Sequence, residues 1–197
     1  MTSRRHPHDC LLRGIAGVTL LELLIALTLL VIVLGGIYGY VTTSGRSARQ
    51  TNSFLQIQAQ ARAALDNIVD EIRWAQQVTA ADAAQVTVLV PQATPFSAAS
   101  PYLVTFAYDP ALDVLTRQED PDATGPQPPG AAEAVAHFLV RKDGGAGVVF
   151  EYFDTAGASL GGTPPDLTEV ARVRVTLVAT LENTSRTLVG DTALRGR

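Results

Sequence analysis

The chain is poor in the residues from which most catalytic and metal chemistry is built. It has one cysteine and three histidines in 197 residues. Cys10, His6 and His8 all lie at the extreme N-terminus, so His137 alone remains for the rest of the chain. A single thiol excludes a disulfide framework within the chain, and the usual Cys/His zinc set lacks its ligands, so no metal and no cofactor are expected. Charge is also scarce: 17% of residues are charged and the net charge is −4. Lys and Arg form no cluster that could neutralise phosphates, so no direct nucleic-acid binding is expected. What the chain has in quantity is apolar residues, at 47%, and they are concentrated near one end.

That concentration is "RGIAGVTLLELLIALTLLVIVLGGIYGYV", residues 13–41. Arg4, Arg5 and Arg13 precede or open it against Asp9 alone, and a basic flank of this kind sets its side of a span in the cytoplasm. Residues 18–41 number roughly 24, enough at about 1.5 Å each to cross a hydrocarbon core of about 30 Å. The run is too long for the apolar region of a secretory signal, and no A-x-A-like cleavage site follows it. It reads as a retained anchor. Glu22 is the anomaly within it, because a carboxylate at the centre of a membrane helix costs about 2.5 to 3.5 kcal/mol, and less near an end. Such a residue is a functional hypothesis that requires a partner.

The neighbours of Glu22 point to one. "GVTLLELLIAL" resembles the N-terminal motif of type IV pilins and type II secretion pseudopilins, in which a basic leader ends in Gly, followed by a hydrophobic residue, Thr-Leu, one further residue and Glu. The match falls on Gly17, Val18, Thr19, Leu20 and Glu22. The resemblance implies that a membrane prepilin peptidase cuts after Gly17, removes leader 1–17 and N-methylates Val18, where the family usually has Phe. It also implies that Glu22 recruits and registers subunits: the cut exposes an α-amino group at Val18, and that cation on a neighbouring subunit would offset the desolvation of the carboxylate. Gly35, Gly36 and Gly39, each weakening a helix by about 1 kcal/mol relative to Ala, read either as close packing in lipid or as the place where the helix bends on passing from membrane to filament.

From Ser44 the chain turns polar, and Phe54, Ile57, Ala61, Leu65, Ile68, Ile72 and Ala75 recur at steps of three and four. This predicts the amphipathic half of the same helix, over 42–77, with Arg62 and Asp66 paired on its surface. "ARAALDNIVDEIRWAQQ", residues 61–77, resembles the corresponding stretch of the PilW and GspJ type of minor pilin and pseudopilin. Trp74 is read as a packing residue in the core or at the domain edge. The period then changes to two, predicting antiparallel strands at 85–91, 102–108, 134–142, 148–154 and 170–180, with a short one at 113–118. In the last main strand Val173, Val175 and Leu177 share the buried face and Arg172, Arg174 and Thr176 the other. Pro- and Gly-rich sequence predicts a mobile loop near 119–133 and a second loop after residue 154. The expectation is an α+β, type IV pilin-like fold: a long N-terminal helix, its membrane half 18–41, packed on a C-terminal antiparallel β-sheet that forms a head over 78–197.

A search for catalytic parts yields little. His137 reads as a packed or edge histidine, "EDPD" at 119–122 with Asp113 lacks calcium-loop spacing, and "NTS" at 183–185 matches a glycosylation acceptor only formally. The residues therefore favour a non-enzymatic structural subunit: a minor pilin or pseudopilin of a type IV pilus or type II secretion system, its head in the periplasm or outside. Its implied partners are the prepilin peptidase, the inner membrane and other pilins or pseudopilins. The alternative is a membrane-anchored periplasmic binding or enzymatic domain with an uncleaved span.

Overall fold

The computed structural model describes residues 19–137, 139, 141, 144–181 and 184–195. The chain divides into two units, Met1–Arg49 and Gln50–Arg197. One helix, α1 (Leu20–Arg73), supplies nearly all of the described first unit and opens the second. It ends four residues before the expected position. The N–H groups of Trp74 and Ala75 bond the carbonyls three residues back, at Glu71 and Ile72, and the Gln76 N–H then bonds Leu89 O at 2.8 Å. The last turn tightens, and the backbone is handed directly from helix to sheet.

After α1 come β1 (Gln77–Asp82), β2 (Gln85–Val90), β3 (Tyr102–Asp109), β4 (Val114–Asp120) and β5 (Glu133–Ala136), an antiparallel five-stranded sheet in sequence order. Then follow β6 (Val148–Phe153), β7 (Ser159–Gly161), a 3-10 turn at Leu167–Glu169, β8 (Arg172–Leu181) and β9 (Thr184–Ala193), with the four strands ordered β7-β6-β8-β9. The long helix and the antiparallel strands give the expected α+β, pilin-like arrangement. The strands divide, however, between two sheets rather than one. The tip of the β1–β2 hairpin joins them: Phe150 N–H donates to Ala83 O at 2.8 Å, and the Tyr152 hydroxyl lies 3.0 Å from Asp82 O and 2.9 Å from Gln85 O.

Alternation fills the space between the sheets and the final turns of α1. Val86, Val88 and Val90 of β2, Tyr102, Val104 and Phe106 of β3, and Val173, Val175 and Leu177 of β8 are all buried. They meet Ile57, Ala61, Leu65, Ile68 and Ile72 of the helix in one core, the face assigned by the three-and-four spacing. Trp74 packs partly buried at its margin. At Gly190 of β9 an added Cβ would lie 2.5 Å from Val69 Cγ2 and 2.9 Å from Leu65 Cδ1, so the absent side chain lets strand and helix approach closely. On the outer side of β8, the guanidinium groups of Arg172 and Arg174 each sit 4.7 Å from the centre of the Phe153 ring, and both are paired with Asp191. These charges shield an aromatic ring from water on a face the alternation had marked as polar.

The expected strand at 134–142 is short here, and residues 138, 140, 142 and 143 of and beside that run lie outside the described residues. His137 follows β5 immediately and is exposed at the sheet edge. The Pro-rich stretch between β4 and β5 is irregular, and it is tied to β4 by Gly130 N–H to Glu119 O at 2.7 Å and by Gln118 Nε2 to Gly130 O at 2.9 Å. Residues 119 and 120 belong to β4, and residue 133 to β5.

Candidate functional site

The N-terminal turn of α1 brings three of the motif residues together. Thr19 precedes the helix, its Oγ1 accepts the Glu22 N–H at 3.2 Å, and its carbonyl accepts the Leu23 N–H at 3.1 Å. Thr19 is thus the N-cap and Glu22 the third helical residue, the spacing of a capping box. Leu20 is the first helical residue and is exposed. A carboxylate in this first turn is favoured by the positive end of the helix dipole. Among the described residues, the Glu22 carboxylate accepts no hydrogen bond and forms no ion pair. Gly17 and Val18, assigned to leader cleavage and N-methylation, lie outside the described residues.

From Leu20 to Gly45 the helix runs for 26 residues, its most apolar 18-residue stretch has a mean hydropathy of 2.7, and it is long and apolar enough to cross a membrane. None of its most apolar window is buried within the chain, and Leu20, Leu24, Ile32, Ile37 and Tyr40 are among the large side chains left open. Two hydroxyls inside the span, those of Thr28 and Thr42, are satisfied locally. Thr28 Oγ1 lies 2.8 Å from Ile25 O, and Thr42 Oγ1 lies 3.0 Å from both Tyr38 O and Gly39 O, which removes the penalty for a bare hydroxyl in hydrocarbon. Gly35, Gly36 and Gly39 lie within unbroken helix, and a Cβ at any of them would meet nothing within 4 Å. The helix therefore presents an apolar surface interrupted by an acid without a partner among the described residues and by a patch of bare backbone.

The second unit holds an ionic cluster that the sequence reading missed. Glu71, 1% exposed, receives Arg117 Nε at 2.9 Å on one carboxylate oxygen and Arg117 Nη2 at 2.7 Å on the other. The Tyr102 hydroxyl lies 3.2 Å from Glu71 Oε1 and 2.8 Å from Thr94 Oγ1. Arg117 Nη2 also reaches Glu119 Oε2 at 2.9 Å, and Glu119 Oε1 accepts from Ser97 Oγ at 2.6 Å. The fork of the guanidinium matches the carboxylate in two parallel bonds. Its hydrogen bond with Glu71 pushes the Arg117 pKa further up, and burial chiefly pushes the Tyr102 phenol up to about 12. The signal was present in both elements: Glu71 lies three residues after Ile68 on the apolar helix face, and Arg117 lies two after buried Leu115 in β4. Each is a charge on the side that alternation assigns to the core.

This cluster joins the end of α1 to β4 and to the segment between β2 and β3. No buried side-chain nitrogen or oxygen among the described residues lacks a partner. The cluster holds these elements together.

Residues 12–38 match the prokaryotic N-terminal methylation motif. The match covers Gly17, Val18, Thr19, Glu22 and most of the apolar helix, and it supports a type IV pilin-like protein whose N-terminal helix suits anchoring in the inner membrane. No curated protein and no solved structure matches the chain.

Proposed function

We propose that this type IV pilin-like chain is a minor pilin or pseudopilin, a structural subunit of a bacterial type IV pilus or type II secretion pseudopilus. The prepilin peptidase cuts it after Gly17 and methylates Val18. The mature chain waits in the inner membrane as a single span and then enters the filament through its N-terminal helix, with the head in the periplasm or outside.

The observation that carries this reading is Glu22: a carboxylate without a partner among the described residues, in the Thr19-capped first turn of an exposed apolar helix that matches the methylation motif. A charge kept in such a setting needs a cation from outside the chain. A new α-amino group on the next subunit is one, and an axial stagger of about 6 Å between subunits, four residues of helix, would bring it level with Glu22. Gly35, Gly36 and Gly39 then serve as the stretch where the helix bends as it leaves lipid.

Two measurements test this. Glu22→Leu should insert and be cleaved as the unmodified chain is, and should be largely excluded from filaments when co-expressed with the other subunits; normal incorporation refutes the role of Glu22. Mass spectrometry of the mature N-terminus should find methylated Val18. A retained leader beginning at Met1 would instead favour an anchored periplasmic domain.

A further inference from the structure

A groove opens in the second unit where α1 gives way to β1. It encloses about 470 Å³ and is lined by Trp74, Ala75, Gln76, Pro91, Gln92 and Arg195. The Arg195 guanidinium lies 4.4 Å from the centre of the Trp74 ring, a cation–π contact that fixes a normally mobile side chain. Its backbone is fixed too, since Arg195 N–H donates to Ala75 O at 3.2 Å and the preceding Leu194 is buried with its own N–H on Ala171 O at 3.0 Å. Among the described residues, no carboxylate pairs with this guanidinium and none of its N–H groups donates a hydrogen bond. The chain is acidic overall, and this exposed, stacked cation has no counterion among the described residues.

We propose that this groove binds an extended peptide segment of another protein through a carboxylate, an Asp or Glu side chain or a peptide C-terminus. Stacking leaves the edge of the guanidinium free, and that edge presents paired N–H donors at the spacing of two carboxylate oxygens. Gln76 and Gln92 flank it with amides that can both donate to and accept from a peptide main chain. Trp74 and Pro91 supply apolar contact for the neighbouring residue. An aromatic ring and an Arg in a concave site are the residue types that dominate binding energy at protein interfaces. The inference is independent of the N-terminal helix and of the filament reading.

Trp74 is the only tryptophan, so its fluorescence reports the groove directly. The full chain in detergent micelles is titrated with an N-acetylated, C-amidated tetrapeptide of alanines carrying one glutamate, and with its glutamine twin. The glutamate peptide should give a saturable change, and the twin should bind about tenfold more weakly, the loss of one charge-assisted bond. Calorimetry of Arg195→Gln, whose exposed side chain leaves folding intact, should show no binding, and Arg195→Lys should bind at an intermediate level. Equal binding of the twin, or no saturable response in the unmodified chain, overturns the proposal. Tighter binding of inorganic phosphate or of phosphatidylglycerol vesicles than of the glutamate peptide also overturns it, by assigning the groove to phosphate.

Discussion

Removing the Glu71 carboxylate should destabilise the second unit, and removing its partner at the same time should restore most of the loss. Breaking a buried ion pair from one side costs about 3 to 5 kcal/mol. In Glu71→Leu, Arg117 loses two bonds but keeps Glu119 at 2.9 Å and has a side chain 21% exposed, so the loss falls at about 3 kcal/mol. Arg117→Met is more severe, about 4 kcal/mol or above, because it leaves a carboxylate at 1% exposure with only the Tyr102 hydroxyl. In the double variant Tyr102 retains Thr94 and Glu119 retains Ser97, so no buried group is stranded. Its loss should be about 1 kcal/mol, leaving a coupling of about 6 kcal/mol between the two sites. Urea unfolding of the full chain in micelles, followed by Trp74 fluorescence one residue beyond α1, measures all four proteins. Additive single losses, with a coupling below about 0.5 kcal/mol, would refute the reasoning.

Two further outcomes rest on the same core. Gly190→Ala places a Cβ 2.5 Å from Val69 Cγ2 and 2.9 Å from Leu65 Cδ1, and should lower stability by about 1 to 3 kcal/mol through overpacking; an unchanged urea midpoint would show that β9 does not press on the helix. The second concerns alkaline pH. Burial is the main force raising the phenols of Tyr102, to about 12, and of Tyr108 and Tyr152 above the ordinary value of 10. With folded pKa values above unfolded ones, their contribution is complete below about pH 10 and is lost as pH rises through the folded values, at about 1.4 kcal/mol per pH unit for each tyrosine. Circular dichroism and tyrosinate absorbance should therefore change together in one cooperative step above about pH 10. Ionisation of these tyrosines with the fold and its urea midpoint intact would contradict it.

The helix, its apolar face and most inner strands were legible because their periodicity is regular. β2, β3, β6 and β8 alternate with β-branched or aromatic residues on one side, and the buried set matches that side. β1 was not legible. "QVTAAD" carries one large apolar residue, and it forms an edge strand because helix closure delivers Gln77 opposite Leu89. β9 was hidden similarly: "TSRTLVGDTA" has a Gly, an Asp and an Arg in a short span, and its strand state comes from a ten-residue register against β8. Both are tertiary pairings that override weak local preference. The N-terminal motif could be read because its residues are contiguous. Glu71 and Arg117, 46 residues apart, are joined only by the fold, and each alone looks like one charge out of phase.

The contrast between the two carboxylates sharpens the functional reading. Glu71 shows how this chain treats an acid it removes from water: it surrounds the group with a forked guanidinium and a phenol from β3 and β4, all inside the second unit. Glu22 sits in sequence that a membrane would desolvate, yet no cation is supplied to it among the described residues. Thr19 spends its hydroxyl on the Glu22 backbone N–H, and that bond fixes the start of the helix while leaving the carboxylate free. A purely structural acid at this position would gain from an Arg or Lys one turn along, at residue 25 or 26, where the chain has Ile25 and Ala26. On the proposed reading, the Thr19 cap holds at the helix start a carboxylate without a partner among the described residues, and a neighbouring subunit would complete it.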